Sequence, residues 1–224
     1  MNAPRDNLQE QLYQRIRAGL LAGRFQPGER LKIRDLAAAW GTSPMPVRAA
    51  LQRLVAEGAL EGEPQRSVRV PPMTAERFQQ LLQVRLALEG LAVESAAARI
   101  GADELAVLRG CLERMDGALE RREMQAYRND NSRFHLSLYR ACANPVLLRM
   151  IEALWLQVGP FFSRLFTQAE LPLRLNDFHE DCLKALQAGD GKAARAAMER
   201  DLIYFGQFLL NLLSRESGGE RGLS

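Results

Sequence analysis

The sequence predicts a mainly α-helical protein in which a winged helix-turn-helix with a small β-wing precedes an antiparallel, all-helical bundle of about six helices. Three observations carry that prediction. Apolar residues recur at helical spacing over most of the chain. The alternating stretch "SVRV", residues 67–70, follows a turn-rich segment and reads as a strand. Pro71 and Pro72 then form a stiff linker, so the expected domains are residues 1–72 and 73–224.

In the first domain, Leu8, Leu12, Ile16, Leu20 and Leu21 share one helical face, and "GRFQPG" at residues 23–28 ends that helix. A short helix follows in "IRDLAAAWG", stopped by Gly41. The next stretch, "GTSPMPVRAAL", places two prolines at the start of a helix. Inside a helix a proline costs about 3 kcal/mol, but in the first turn the N–H it lacks has no intrahelical partner anyway. Ser43 is therefore expected as the N-cap, Pro44 as the first helical residue and Pro46 within the first turn. Val47, Leu51, Leu54 and Val55 then form the buried face, while Met45, Arg48 and Gln52 lie opposite. A turn around "EGEPQR" and the "SVRV" strand complete a two-stranded wing.

From Thr74 onward the pattern is helical, with breaks near Gly101, Arg122, Asn144-Pro145, Leu171-Pro172 and Gly189-Asp190. Asn144 and Asp190 carry the side chains that cap helix starts, and Gly189 suits the close of the preceding helix. Gly159-Pro160 is expected to kink the helix that begins near Pro145.

Composition narrows the function classes. Hydrophobic residues make up 47% of the 224 and charged residues 25%, which suits a soluble globular chain. The longest apolar runs fall short of the roughly 18 residues a membrane helix needs, and the N-terminus lacks a signal peptide's apolar centre. A cytoplasmic protein is expected. Cys111, Cys142 and Cys182 are far apart and embedded in helical patterns, which suggests reduced core residues rather than a disulfide framework or zinc ribbon. Net charge is +3, but residues 1–73 hold eleven Lys and Arg against seven Asp and Glu, whereas the remainder holds 19 against 20. The basic excess lies where an anionic partner such as DNA would bind.

In a winged helix-turn-helix the last helix enters the major groove. Arg48, on its exposed face near the N-terminus, offers the forked donor geometry that guanine edges and phosphates accept. Ser43 and the first-turn N–H groups suit a phosphate. Met45 and Gln52 share the exposed face, and Arg34 and the wing arginines Arg66 and Arg69 are positioned as flanking contacts.

In the helical domain the informative polar residues are those inside apolar stripes. Arg85 sits among Phe78, Leu81, Leu82, Leu88 and Ala92. Asn131 and His135 share a stripe with Tyr127, Phe134, Leu138 and Cys142; His179 lies with Leu175, Phe178, Cys182 and Leu186; Asp201 lies with Ala194, Met198, Phe205 and Phe208. Buried polar groups need partners. Imidazole, carboxylate and amide oxygen together can form a mixed shell for a divalent ion such as Zn, Ni or Mn, as helix bundles do with ligands one turn apart. Arg85 has two readings, a bidentate hold on an organic acid or an i,i+4 pair with Glu89.

The run "LKIRDLAAAWGTSPMPVRAALQRLVAEGALEGEPQRSVRV" resembles the DNA-binding domain of the GntR family of bacterial transcription regulators. Ser43, Pro46, Val47, Arg48, Leu51, Leu54, Glu57 and Gly58 match that family's pattern. Two positions depart from it: Pro44 stands where the family usually has arginine, and Gln65-Arg66-Ser67 stands where it usually has a Gly-Arg-Gly wing tip. Residues 78–210 resemble the FCD effector domain of the FadR subfamily through "RLALEGLAVESAA", the Asn131-x-x-Phe-His135 motif and "HEDCLKALQAGDGKAARAAMERDL". The family binds a divalent metal through an Asp-x-x-x-His pair and two later histidines, with small carboxylates docking beside it. His135 and His179 match; Asn131 replaces the aspartate and Asp201 the last histidine, which leaves the carboxylate count unchanged. The resemblance thus implies a metal held by Asn131, His135, His179 and Asp201, and an effector site that adds Arg85.

The expectation is a ligand-responsive regulator, a repressor, that binds a palindromic double-stranded operator as a homodimer and senses a small carboxylate. The competing classes are a metal-dependent helical-bundle enzyme and a non-catalytic dimerisation module. The first lacks an evident general base or nucleophile beside the ligands, and the second leaves the inward polar groups without a purpose.

Overall fold

A computed structural model of the chain describes residues 3–63, 67–162 and 176–219. The chain divides into two compact units, Met1–Met73 with Ala153–Thr167, and Thr74–Glu152 with Gln168–Ser224.

The first unit runs α1 (Ala3–Leu21), β1 (Arg30–Leu31), α2 (Ile33–Ala39), α3 (Pro44–Ala56), β2 (Glu61–Gly62) and β3 (Val68–Arg69). Ser43 is the N-cap of α3, with φ −77° and ψ 157°, and Pro44 is its first residue. Extended backbone at Ser43 is what a following proline imposes, so the dipeptide fixes both the turn and the helix start. Helices α1 and α2 both pack on α3. Ile16, Leu20, Val47, Leu51 and Leu54 are fully buried in the shared core, each contributing roughly 1.5–3 kcal/mol by leaving water.

The wing has one strand more than the sequence suggests. β3 lies between β1 and β2, antiparallel to both, with Leu31 opposite Val68 and Glu61 opposite Arg69. Two residues of β1 are too few to show alternation. Backbone bonds hold the strand instead: Gly28 N donates to Val70 O at 3.0 Å and Val70 N to Glu29 O at 2.9 Å.

The second unit contains α4 (Ala75–Ala96), α5 (Ala102–Glu120), α6 (Met124–Arg140), the start of α7 (Pro145–Phe162), α8 (Asp177–Gln187) and α9 (Gly191–Gly219). Among the described residues these are six helices, in keeping with the expectation of about six, and the described breaks fall where local chemistry places them. Gly101 is the N-cap of α5, and Arg122, at φ 57°, separates α5 from α6. Asn144 Oδ1 accepts from Val146 N and Leu147 N at 3.2 and 3.1 Å. Gly189, at φ 70°, closes α8, and Asp190 Oδ1 accepts from Ala193 N at 2.9 Å. The Leu171-Pro172 break lies outside the described residues.

α7 continues through Pro160 to Phe162, and from Ala153 it belongs to the first unit. Leu156 joins the core of α1 and α3. A Cβ on Gly159 would stand 2.7 Å from the Leu20 carbonyl oxygen, so glycine at this position permits the close approach of α7 to the end of α1.

Within the second unit, α9 packs on α4 and α8, and α6 packs on α5 and α4. Cys111, Cys142 and Cys182 are buried and free. Among the described residues no helix is long and apolar enough to cross a membrane.

Candidate functional site

Two regions gather the chemistry that function requires, one exposed and one buried. The first is the exposed start of α3. Met45 is 69% exposed; Ser43 and Gln52 are exposed beside it, as is Arg34 on α2. Although Ser43 occupies the N-cap position, its hydroxyl makes no capping bond. That oxygen can therefore meet an external donor or acceptor.

Several arginines of this unit are already engaged by neighbours. Arg53 binds Glu10 and Glu57 at 2.7 and 3.1 Å and lies over the Tyr13 ring at 3.6 Å. Arg69 is tied to Glu61 at 2.9 Å, and Arg30 to Glu63 at 3.1 Å. By contrast, neither Arg34 nor Arg48 has a carboxylate partner among the described residues. Arg48 is half-buried, and its Nε makes no hydrogen bond. Packing holds the stem of Arg48 and buries its Nε, while no carboxylate among the described residues ties the guanidinium, as suits a group that reads an external acceptor. Arg66 lies outside the described residues.

The second region lies inside the helical unit. The 3.6-residue periodicity of α6, α8 and α9 turns His135, His179 and Asp201 inward from three different helices, and all three are buried. His135 Nε2 and His179 Nε2 face each other at 3.0 Å. Asp201 Oδ2 is 3.5 Å from His135 Nε2, and Asp201 Oδ1 is 3.7 Å from His179 Nε2. The Phe134 ring sits edge-on to both imidazoles, at 5.8 and 4.9 Å between centroids, and excludes water from one side.

These distances suit a divalent ion. Ligands roughly 2.0–2.2 Å from a metal stand about 3.0–3.5 Å from one another around a tetrahedral or octahedral centre. Two imidazole nitrogens and a carboxylate lie close to that spacing, and Asp201 Oδ1 is buried without a hydrogen bond. Electrostatics agree. Burial, then His179 and Arg85, hold His135 well below the ordinary histidine range, so it is neutral. Burial pushes Asp201 up to about 8, with Glu89 adding to the shift and Arg85 opposing it. A carboxylate so poorly solvated gains from a cation placed against it.

The structure brings three of the four expected ligands together as one group. Asn131, one turn before His135 on α6, is half-buried. Arg85 lies deep in α4 and takes the local pairing: its Nε donates to Glu89 Oε1 at 2.6 Å and its Nη2 to Oε2 at 3.3 Å. Burial works against the Arg85 charge, but Glu89 outweighs it and raises the guanidinium pKa.

Two groups stand outside what the sequence suggests for the site. Tyr139 donates its hydroxyl to Glu89 Oε2, and His135 Nδ1 lies 2.9 Å from the same hydroxyl oxygen. Tyr127 donates to Asn176 Oδ1 at 3.1 Å, and Asn176 Nδ2 donates to Asp116 Oδ1 at 2.6 Å, which ties the start of α8 to α5 and α6. The available signal was the one-turn spacing of Arg85 with Glu89 and of His135 with Tyr139.

Comparison with known proteins gives the same division. Residues 8–70 match the bacterial regulatory proteins of the gntR family, and residues 80–203 match the FCD domain. The chain is 35% identical over 179 residues to the HTH-type transcriptional regulator McbR of Escherichia coli K12, covering 79% of this chain and 80% of that protein. It is 31% identical to a probable D-xylose utilization operon transcriptional repressor of Paenarthrobacter nicotinovorans, over 79% of this chain and 77% of that one. The solved structure of Escherichia coli McbR/YncC aligns with a TM-score of 0.84 at 31% identity, over 92% of this chain and 98% of that one.

Proposed function

The chain belongs to the gntR family of bacterial regulatory proteins and carries an FCD domain, and from that premise we propose that it is a cytoplasmic, homodimeric repressor whose grip on a palindromic operator is set by a divalent metal and a small carboxylate in the helical unit. The observation that carries the sensor half is the convergence of His135, His179 and Asp201 from three helices onto one buried point. Zn, Ni or Mn would be held there, with Asn131 one turn from His135 as the fourth candidate ligand. When bound, such an ion supplies Lewis-acid positions that a carboxylate can take. Around them the chain's own residues set the selectivity: Phe134 keeps water away, His135 is held neutral, Asp201 supplies the carboxylate, and Arg85 adds positive potential.

For the operator, α3 lies in the major groove with Arg48 on a guanine edge or phosphate, Gln52 and Met45 facing bases, and Ser43, Arg34 and Arg66 on the backbone. Two such helices in a dimer match a two-fold operator. Pro44 and Pro46 remove two first-turn N–H donors, so phosphate contacts at this helix start rest on Ser43 and on the N–H groups of Met45 and Val47. Repression is in keeping with the role named for the Paenarthrobacter relative.

The test uses a duplex enriched by the full-length protein from a random-sequence pool. Affinity for that duplex is measured after chelation, with zinc restored, and with a panel of small carboxylates added. An effector must bind the DNA-competent and DNA-incompetent forms unequally or it switches nothing. A change in affinity with metal and acid is expected in the native protein and absent in His135→Ala. If all conditions give the same affinity and the purified native protein carries no metal, the sensor reading is wrong.

A further inference from the structure

We propose that Glu89 and Tyr139 are positioning residues that fix the tautomer and orientation of His135, and that Arg85 serves this site by clamping Glu89 rather than by gripping an effector directly. The inference rests on the metal reading above and deepens it.

A tyrosine hydroxyl has a single proton to give. In this core Tyr139 has a carboxylate, Glu89 Oε2, as hydrogen-bond acceptor. Met198 Sδ, 3.5 Å from the same hydroxyl, is a far weaker acceptor. With its proton directed to Glu89, the Tyr139 oxygen can only accept from His135 Nδ1, which lies 2.9 Å away. His135 Nδ1 therefore carries the imidazole hydrogen, and the lone pair of Nε2 points to His179 and Asp201. That is the tautomer a metal ligand needs.

Glu89 could not hold this role unaided. It is fully buried, and an uncompensated carboxylate there would be costly. Arg85, on the same helix one turn earlier, meets it through two N–H groups and holds it oriented. The resulting order is Arg85, Glu89, Tyr139, His135, then the metal point, with each group directed by the one before it. Carboxylates that orient ligating histidines from behind are a recurrent feature of metal sites, and removing such a partner typically weakens metal affinity 10–100-fold. Here a tyrosine stands between the carboxylate and the imidazole. The fork of Arg85 thus has an internal use, and an effector acid would have to displace Glu89 to take it.

The test uses the full-length protein and its Tyr139→Phe variant, a change that removes one oxygen and preserves the ring. In chelator-treated protein, nitrogen-15 NMR of the two imidazoles, assigned with His179→Gln, is expected to show His135 protonated at Nδ1. Tyr139→Phe should lose that preference. Zinc titration should then show about 10–100-fold weaker binding for Tyr139→Phe, with unchanged stoichiometry and helical content. Native His135 protonated at Nε2, or zinc bound equally tightly by both proteins, would overturn the proposal. If native protein fails to take up zinc at all, the metal reading falls, while the NMR tautomer still decides the role of Tyr139. Should Tyr139→Phe misfold, the tautomer of the native protein alone decides.

Discussion

The two units keep their polar groups in opposite places. Around α1 and α3 the core is hydrophobic, with the Tyr13 hydroxyl satisfied by Glu57, and the chemistry lies outside it, at exposed Ser43, Met45 and Gln52 and half-buried Arg48. In the helical unit the chemistry is the core: Arg85, Glu89, His135, Asn176, His179 and Asp201, the buried polar and charged residues among those described, all belong to it. A DNA reader can present its donors to water at little cost to folding. A sensor for a small ligand must enclose it, and must therefore hold unligated polar groups away from water at the expense of stability. The first unit should accordingly separate stability from function under mutation, and the second should not.

The largest effect tests the second half of that statement. Glu89→Ala leaves the Arg85 guanidinium buried without its carboxylate, and breaking such a pair costs about 3–5 kcal/mol. Urea unfolding followed by circular dichroism should show the loss. A cost below about 1 kcal/mol would mean that the polar core is not a stability liability and that the contrast between the units fails.

Metal and pH come next. In chelated protein the fold prefers protonated Asp201, whose pKa is about 8, against roughly 3.9 in an unfolded chain. The stability supplied by that proton is fully present below about pH 3.9 and is lost as pH rises through about 8. Metal requires the ionised form, so zinc should offset the loss, adding about 2.7 kcal/mol at a hundred times its dissociation constant. The gap in melting temperature between zinc-loaded and chelated protein should thus widen from about pH 6 to about pH 8. An equal gap at both pH values would argue against Asp201 as a ligand.

The third prediction concerns the surface. Arg48→Ala should cost no more than about 1 kcal/mol of stability, the packing of a half-buried stem, because Arg48 has no carboxylate partner among the described residues. Its affinity for the enriched duplex should fall by about 1–3 kcal/mol, or its salt slope by about one if the contact is to phosphate. Unchanged affinity and slope would remove Arg48 from the interface.

What the sequence disclosed follows the same division. Helix starts and stops were legible because they rest on local chemistry: Pro44 after Ser43, Asn144 before Pro145, Gly189 before Asp190. The convergence of His135, His179 and Asp201 was legible because polar residues in apolar stripes have few places to go. β1 was not, since two residues carry no period and its pairing is with residues 68–70. The second half of α7 read only as an apolar helix, and such a pattern does not say which core it joins. The roles of Glu89 and Tyr139 were hidden because each depends on a partner about 50 residues away in the chain, fixed only when α4 packs on α6.

The smallest effect separates the units at two helix starts of similar appearance. Ser43 and Asp190 both precede helices with side chains suited to capping, and sequence alone ranks them together. Asp190 uses its carboxylate on Ala193 N at 2.9 Å, whereas the hydroxyl of Ser43 caps nothing. Asp190→Ala should therefore cost about 1 kcal/mol in thermal unfolding, and Ser43→Ala only a few tenths, with its main loss in affinity for DNA. The reverse order, or a Ser43→Ala protein that loses stability but not affinity, would show that the start of α3 is built for folding first, and that its unused hydroxyl is not kept for a phosphate.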